Sequence, residues 1–289
     1  MHPIQLREER NFSEVINATF QFTFRNLKTL GPILLYFAAP FSLIAGISVG
    51  LFQSQIFDFT TKINRGANPF NFLFSLEYFL SIVFSLMGGQ VLSLVVSSYL
   101  VEYMDHDGPV EASAVWEHVK KYFLRSVVVG LLYGGSLILG LALCFLPVVY
   151  PFTVFSLAMT AMVREDLSAS EALARSRDLV HLNWTEGIST FGLRIVMSVA
   201  TSILGSILSV PMYLVMFLQG LKVVGENMQW ALLLSSVIAT TGTTVITSLA
   251  NVALGFQYFS LVEKKEGIGL MNEIESIGQA RPVRDEGEY

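Results

Sequence analysis

Charge is scarce in this sequence. Only 14% of its 289 residues are Asp, Glu, Lys or Arg, against about 25% in an average soluble domain. That deficit is what a bilayer demands of a chain dissolved in it, and it excludes a disordered, charge-rich polypeptide. A basic surplus is missing too. The net charge is −5, so the chain has none of the cationic excess that marks a nucleic-acid binder. Cysteine is nearly absent: Cys144 alone builds neither an intramolecular disulfide nor a cysteine-based zinc site. Histidine occurs only at positions 2, 106, 118 and 181, with no cluster of His, Asp or Glu at one depth that a membrane enzyme would need. The opening residues, Gln5 to Arg10, are polar and contain no short apolar run before a cleavage site, so no signal peptide is expected.

What is abundant is apolar. Hydrophobic residues make up 53% of the chain and the mean hydropathy is +0.57. A crossing takes about 20 apolar residues, each rising about 1.5 Å through about 30 Å of hydrocarbon. Charge-free runs between Lys28 and Asp58, Glu77 and Glu102, Arg125 and Arg164, Arg194 and Lys222, and Glu226 and Glu263 meet that length. The third run holds 38 residues, which as one helix is about 57 Å and too long for a single crossing. Pro147 and Pro151 lie inside it, and proline removes a helical donor and disfavours helix at the residue before it. The run therefore reads as a hairpin. Six spans follow, near residues 30–51, 78–101, 126–146, 148–163, 190–213 and 230–262. Pro211 predicts a kink in the fifth or an end to its embedded part, and Thr240–Thr244 around Gly242 predict a weakened sixth.

Basic residues test this count, because they collect on the cytoplasmic side. With six spans and a cytoplasmic N-terminus, 14 Lys and Arg fall inside and three, Lys62, Arg65 and Lys222, fall outside. Were the long run a single crossing, the same residues would divide 8 to 9, which is no preference. The six-span reading places both termini in the cytoplasm.

Three segments, near 12–28, 110–125 and 168–186, carry apolar residues at helical spacing ahead of each hairpin. Asn11 with Glu14, and Ser168 with Glu171, match the capping-box pattern. The first and third segments align without gaps, pairing Ser13 with Ser170, Glu14 with Glu171, Thr19 with Ser176 and Asn26 with Asn183. Such a helix suits an anionic headgroup layer, and Trp116 and Trp184 fall where interfacial indoles are favoured. The other reading is an amphipathic connector packed on the inner end of the bundle.

The stretch Val163 to Val180, followed by Asn183-Trp184 and Phe191-Gly192, resembles the membrane domain fused to some bacterial glycerophosphoryl diester phosphodiesterases, and related stand-alone six-helix proteins. The shared residues are Glu171, Ala172, Leu173, Ser176, Asn183 and Trp184. His181-Leu182 stand where that family often has Lys-Gly. The resemblance implies a bacterial inner-membrane protein without the catalytic barrel. The chain has no His-Arg-Gly motif and no soluble stretch near the roughly 200 residues a barrel needs.

Within the spans, Arg194 stands out. It lies ten residues beyond Trp184, about 15 Å along a helix. A cation at that depth costs about 2.5–3.5 kcal/mol on insertion scales. It reads as a site for an anion or lipid phosphate, as an internal pair with Glu102, or as a side chain snorkelling to the headgroups. Thr240, Thr244, Thr247 and Asn251 form a polar stripe on span six, with Ser198, Ser202, Gly205 and Ser209 on span five and Gly89, Ser93 and Ser97 on span two. These read as the lining of a polar groove or as close interhelical packing. Asp105-His106-Asp107, followed by Gly108-Pro109, reads as a turn, because three adjacent residues do not face one ion.

The expectation is an all-α polytopic membrane bundle over residues 1–266: three transmembrane hairpins, each preceded by a cytoplasmic amphipathic interfacial helix. A cytoplasmic tail over 267–289 follows, with a short helix at Ile268–Ile277. The expected role is non-enzymatic, as a scaffold, accessory or lipid-interacting protein, with no cofactor and no metal. Membrane lipids and a protein on the cytoplasmic face are the expected partners, nucleic acid is not, and the oligomeric state is open. The alternative is a transporter or lipid-moving protein with a polar groove between spans five and six, lined by Arg194 and Asn251.

Overall fold

The computed structural model describes residues 4–62, 74–106, 109–143, 146–221 and 229–267. Its helices are α1 (Phe12–Lys62), α2 (Leu76–Asp105), α3 (Ala112–Ala142), α4 (Val149–Val154), α5 (Ala158–Glu165), α6 (Ala169–Val180), α7 (Trp184–Gly220) and α8 (Gln229–Glu266), with a 3-10 turn at Leu146–Val148 before α4. No strand occurs among the described residues. Among the described residues, five helices, α1, α2, α3, α7 and α8, are long and apolar enough to cross a membrane. Asp107, Cys144, Arg65, Lys222 and the tail helix expected at 268–277 lie outside the described residues.

Two of the three expected interfacial helices are not separate elements. Residues 12–28 run unbroken into the first span as α1, and 112–125 run unbroken into the third as α3. Nothing between Lys28 and Leu30 breaks a helix, and α1 continues through Pro32 and Pro40. Long apolar helices tolerate proline when neighbours satisfy the freed backbone groups. A polar node sits beside Pro32: Thr29 Oγ1 is 2.7 Å from Tyr99 Oη and donates to Asn26 C=O. The opening turns of α1 pass across the end of α8. Phe12 lies against Gly192 of α7, whereas Phe22 packs edge-on to Phe256 of α8 and Tyr103 of α2. Pro211 and the Thr240–Thr244 cluster do not interrupt α7 or α8 either.

The fourth expected span, 148–163, is not one helix. It is the 3-10 turn, α4, a break at Phe155–Leu157, and α5. The chain nonetheless turns back beside α3. Val148 packs against Gly140 near the end of α3, and Asp166 is bonded by Lys121 and Arg125 near its start. Those contacts lie 15 residues apart on α3, about 22 Å of helix.

One end of the bundle holds both the core and the charges. The buried apolar cluster draws on Val15 and Phe22, Leu94 to Val101, Leu157 to Val163, Ala172 and Leu179, and Val252 to Val262. Around it lie Arg164–Asp105 at 2.7 Å, Arg125–Asp166 at 2.8 Å, Arg175–Glu165 at 2.8 Å and Lys264–Glu186 at 3.0 Å. The N-terminal segment before α1 is pinned there as well. Arg10 N–H donates to Ser260 Oγ at 2.9 Å, and its guanidinium stacks 5.3 Å from the Phe256 ring centroid.

Candidate functional site

Residues of the 168–186 segment act on the break between α4 and α5. Ser168 caps α6, accepting from Glu171 N–H, while the Glu171 carboxylate accepts from Ser168 N–H at 2.9 Å. Both expected capping boxes form, since Asn11 and Glu14 exchange the same two bonds at 3.0 and 2.8 Å. Ala172 is fully buried and Leu173 packs on the core. Ser176 lies opposite the break. Its hydroxyl donates to Val154 C=O at 2.6 Å and accepts from Leu157 N–H at 3.1 Å. Those two backbone groups have left the helical ladder, and inside a membrane only protein supplies their partners. Ser176 thus makes the break between α4 and α5 tolerable. Thr19, its aligned counterpart in α1, bonds only its own Val15 C=O. Asn183 caps α7 through its backbone, and Trp184 stands 84% exposed.

The three candidate residues of the spans are not brought together. Arg194, on α7, lies between the rings of Phe152 at 4.2 Å and Tyr133 at 5.4 Å. Glu102 faces α3 instead, 2.9 Å from His106 Nδ1 and 3.5 Å from His118 Nε2. It does not pair with Arg194, because the last turn of α2 meets the first turns of α3 while α4 lies under Arg194. Asn251 is half-buried on α8 and lines neither cavity described below. Asp105 of the Asp-His-Asp turn holds Arg164, and no metal-ligating group of three occurs among the described residues.

The small polar stripes do meet. Ser85 and Gly89 of α2, Ser209 of α7, and Thr240, Thr243 and Thr247 of α8 line a cavity of about 350 Å³. The same stripes also pack closely, since a methyl added to Gly205 would lie 3.0 Å from the Thr243 side chain. Neither Arg194 nor Asn251 lines this cavity, whereas Gly89, Ser209, Thr240, Thr244 and Thr247 of the expected stripes do.

A larger groove of about 660 Å³ opens between α1 and α3 over α2. Phe37, Phe41 and Val91 form its floor and Trp116, Lys120 and Phe123 its α3 wall. Trp116 stacks on Phe37 with ring centroids 5.5 Å apart, and Lys120 Nζ lies 5.7 Å from the Trp116 ring while paired to Glu117 at 2.7 Å. The lining is aromatic and aliphatic with one cation at the end nearest the charged layer. No family model, curated protein or solved structure matches the chain.

Sequence reasoning missed this groove. The indole of Trp116 suggests an interface, but its partner Phe37 is 79 residues away and no local periodicity joins them. The Phe and Tyr run of α1 at 36, 37 and 41 was the available signal. At the rim of the charged layer, hydrogen bonds from Lys121 and then Arg125 hold the Asp166 carboxyl below the ordinary carboxylate range.

Proposed function

We propose that the chain is a six-pass integral membrane protein without enzymatic activity of its own, and that it holds membrane phospholipid in a scaffold or accessory role. The broken α4–α5 segment counts as the fourth pass in this reading. The charged end faces the cytoplasm of a bacterial inner membrane, with both termini on that side, and the resemblance to phosphodiesterase membrane domains belongs to the same proposal. A protein partner would meet that end.

The groove between α1 and α3 carries the reading. It opens on the flank of an apolar bundle, where acyl chains are the surrounding solvent, and its volume lies within the range of ligand pockets, about 300–1,000 Å³. Lys120 and Trp116 stand at its charged end, the pair that suits a phosphate and its interface. Native mass spectrometry in mild detergent tests it. Wild type retains phospholipid, and a Trp116→Ala/Lys120→Glu variant of unchanged melting temperature retains several-fold less. Equal retention removes the reading.

A second reading, lipid or solute movement, is favoured by the threonine-lined cavity. Reconstituted vesicles would show transbilayer movement of a fluorescent lipid that Thr243→Leu, which fills the cavity, abolishes. Movement no faster than in empty vesicles removes that reading.

A further inference from the structure

Arg194 and Tyr133 leave unmatched donors inside the bundle. The Arg194 guanidinium touches two rings and makes no hydrogen bond or ion pair among the described residues. The Tyr133 hydroxyl, beside it, is buried without a hydrogen-bond partner. A guanidinium carries five N–H donors and no acceptor, and the phenol adds one O–H. Aromatic faces attract the charge but leave that fork of donors unused. The carboxylates of the charged layer are engaged elsewhere: Glu186 with Lys264, Glu165 with Arg175 and Tyr258, and Glu102 beside two histidines. Arg194 stands eight residues from Glu186, about 12 Å along α7. Its side chain turns toward Phe152 and Tyr133 rather than down to that layer.

We propose that Arg194 and the Tyr133 hydroxyl hold one oxyanion, carried on an acyl chain that enters from the bilayer between α3 and α7. The chemistry is a planar donor fork plus a phenol meeting a carboxylate or phosphate, for which arginine geometry is suited. Arg194 and Tyr133 are each partly exposed while the Tyr133 hydroxyl itself is covered, so a headgroup coming from the side meets the guanidinium first. Leu131, Leu132, Ile195 and Val196 flank it with exposed apolar surface on which a chain can lie. The site is separate from the α1–α3 groove, whose α3 wall is formed by Trp116, Lys120 and Phe123.

The test uses full-length protein, delipidated in nonionic detergent at alkaline pH, and native mass spectrometry with three probes: oleate, phosphatidylglycerol and uncharged monoolein. Wild type retains at least one of the anionic probes in preference to monoolein. Oleate alone marks a carboxylate site, and phosphatidylglycerol alone marks a phosphate site. Arg194→Met keeps the apolar contacts and loses retention by about tenfold or more, equivalent to about 1.4 kcal/mol. Tyr133→Phe, which removes only the hydroxyl, weakens retention by a smaller factor, and it decides the matter if Arg194→Met fails to fold. Lys120→Glu lowers any phosphatidylglycerol that the groove holds but not the share of anion retention that Arg194→Met removes, so failure of the groove reading is told apart from failure here. No preference for either anion in wild type overturns the proposal, and so does retention by both site variants equal to wild type.

Discussion

Along α2, the stretch from Val91 to Val101 is buried almost without a break, whereas between Leu76 and Gln90 only Ser81 and Gly88 are. Helix α8 divides the same way: most residues from Ser248 to Glu263 are buried, against four between Gln229 and Thr247. The buried halves lie at the charged end and the open halves at the other. In the first, side chains from α1, α2, α5, α6 and α8 pack on one another. In the second, Ile203, Ile207, Tyr213 and Phe217 of α7 face outward. A bilayer gives apolar side chains no reason to leave its hydrocarbon, so association there rests on packing and interhelical hydrogen bonds. The difference teaches that the charged end specifies the arrangement, while the other half is largely surface for lipid. The groove and the Arg194 site both lie along flanks that begin at the specified end.

If that division holds, substitutions that touch buried polar contacts at the charged end cost most. Ser176→Ala strips partners from Val154 C=O and Leu157 N–H together. Leaving two buried backbone groups unsatisfied is expected to cost about 2–4 kcal/mol, read as a fall in melting temperature in detergent. Thr247→Val, which removes a hydroxyl bonded only within α8, serves as the partner measurement in the open half and is expected within about 0.5 kcal/mol. Equal effects would break the comparison.

The open half has tight seams, and the one between α1 and α8 sharpens the contrast. A methyl on Gly46 would lie 2.7 Å from Val237 Cα, and Ser236 Oγ donates to Gly46 C=O at 2.8 Å. Gly46→Ala must push α1 away from α8. Overpacking of about 1–3 kcal/mol is offset by up to about 1 kcal/mol of helix propensity, so a net loss below that of Ser176→Ala is expected. A gain in stability would show that the seam yields.

Much of this was legible in the sequence, and the failures share a cause. Span positions follow from charge-free runs, because hydrocarbon excludes charge over a fixed thickness. The capping boxes at Asn11–Glu14 and Ser168–Glu171 are local by nature, so three residues suffice to read them. The turn at Pro147 was legible for the same reason, although Pro151 lies inside α4 rather than in the turn. The break after Val154 was not. It depends on Ser176, 22 residues on, offering a hydroxyl that replaces two ladder bonds. Arg194 stands out in the sequence as an unusual cation, but its ring partners Phe152 and Tyr133 do not, because choosing among distant side chains requires knowing which helices are neighbours. The continuity of α1 and α3 was missed because amphipathic and apolar stretches differ in pattern without any breaker between them.

The smallest expected effect lies at the rim, and pH separates it from packing. Asp166 has φ of 51°, the left-handed conformation that asparagine tolerates, so Asp166→Asn removes charge with little backbone cost. It weakens the links to Lys121 and Arg125, which tie the end of α5 to the start of α3. Those links are exposed and contribute little at neutral pH, so the melting temperature falls by less than in Gly46→Ala. The sign with pH is definite. The folded carboxyl lies below its ordinary range, so its stabilisation is fully present above about pH 4, the unfolded value. It is lost as pH falls through the lower folded value. The gap between wild type and Asp166→Asn should therefore be constant from pH 7 to 5 and close below about pH 4, whereas the Gly46→Ala gap should not respond to that carboxyl. A gap that persists at low pH would assign Asp166 to packing rather than to charge, and the rim would then belong with the core it surrounds.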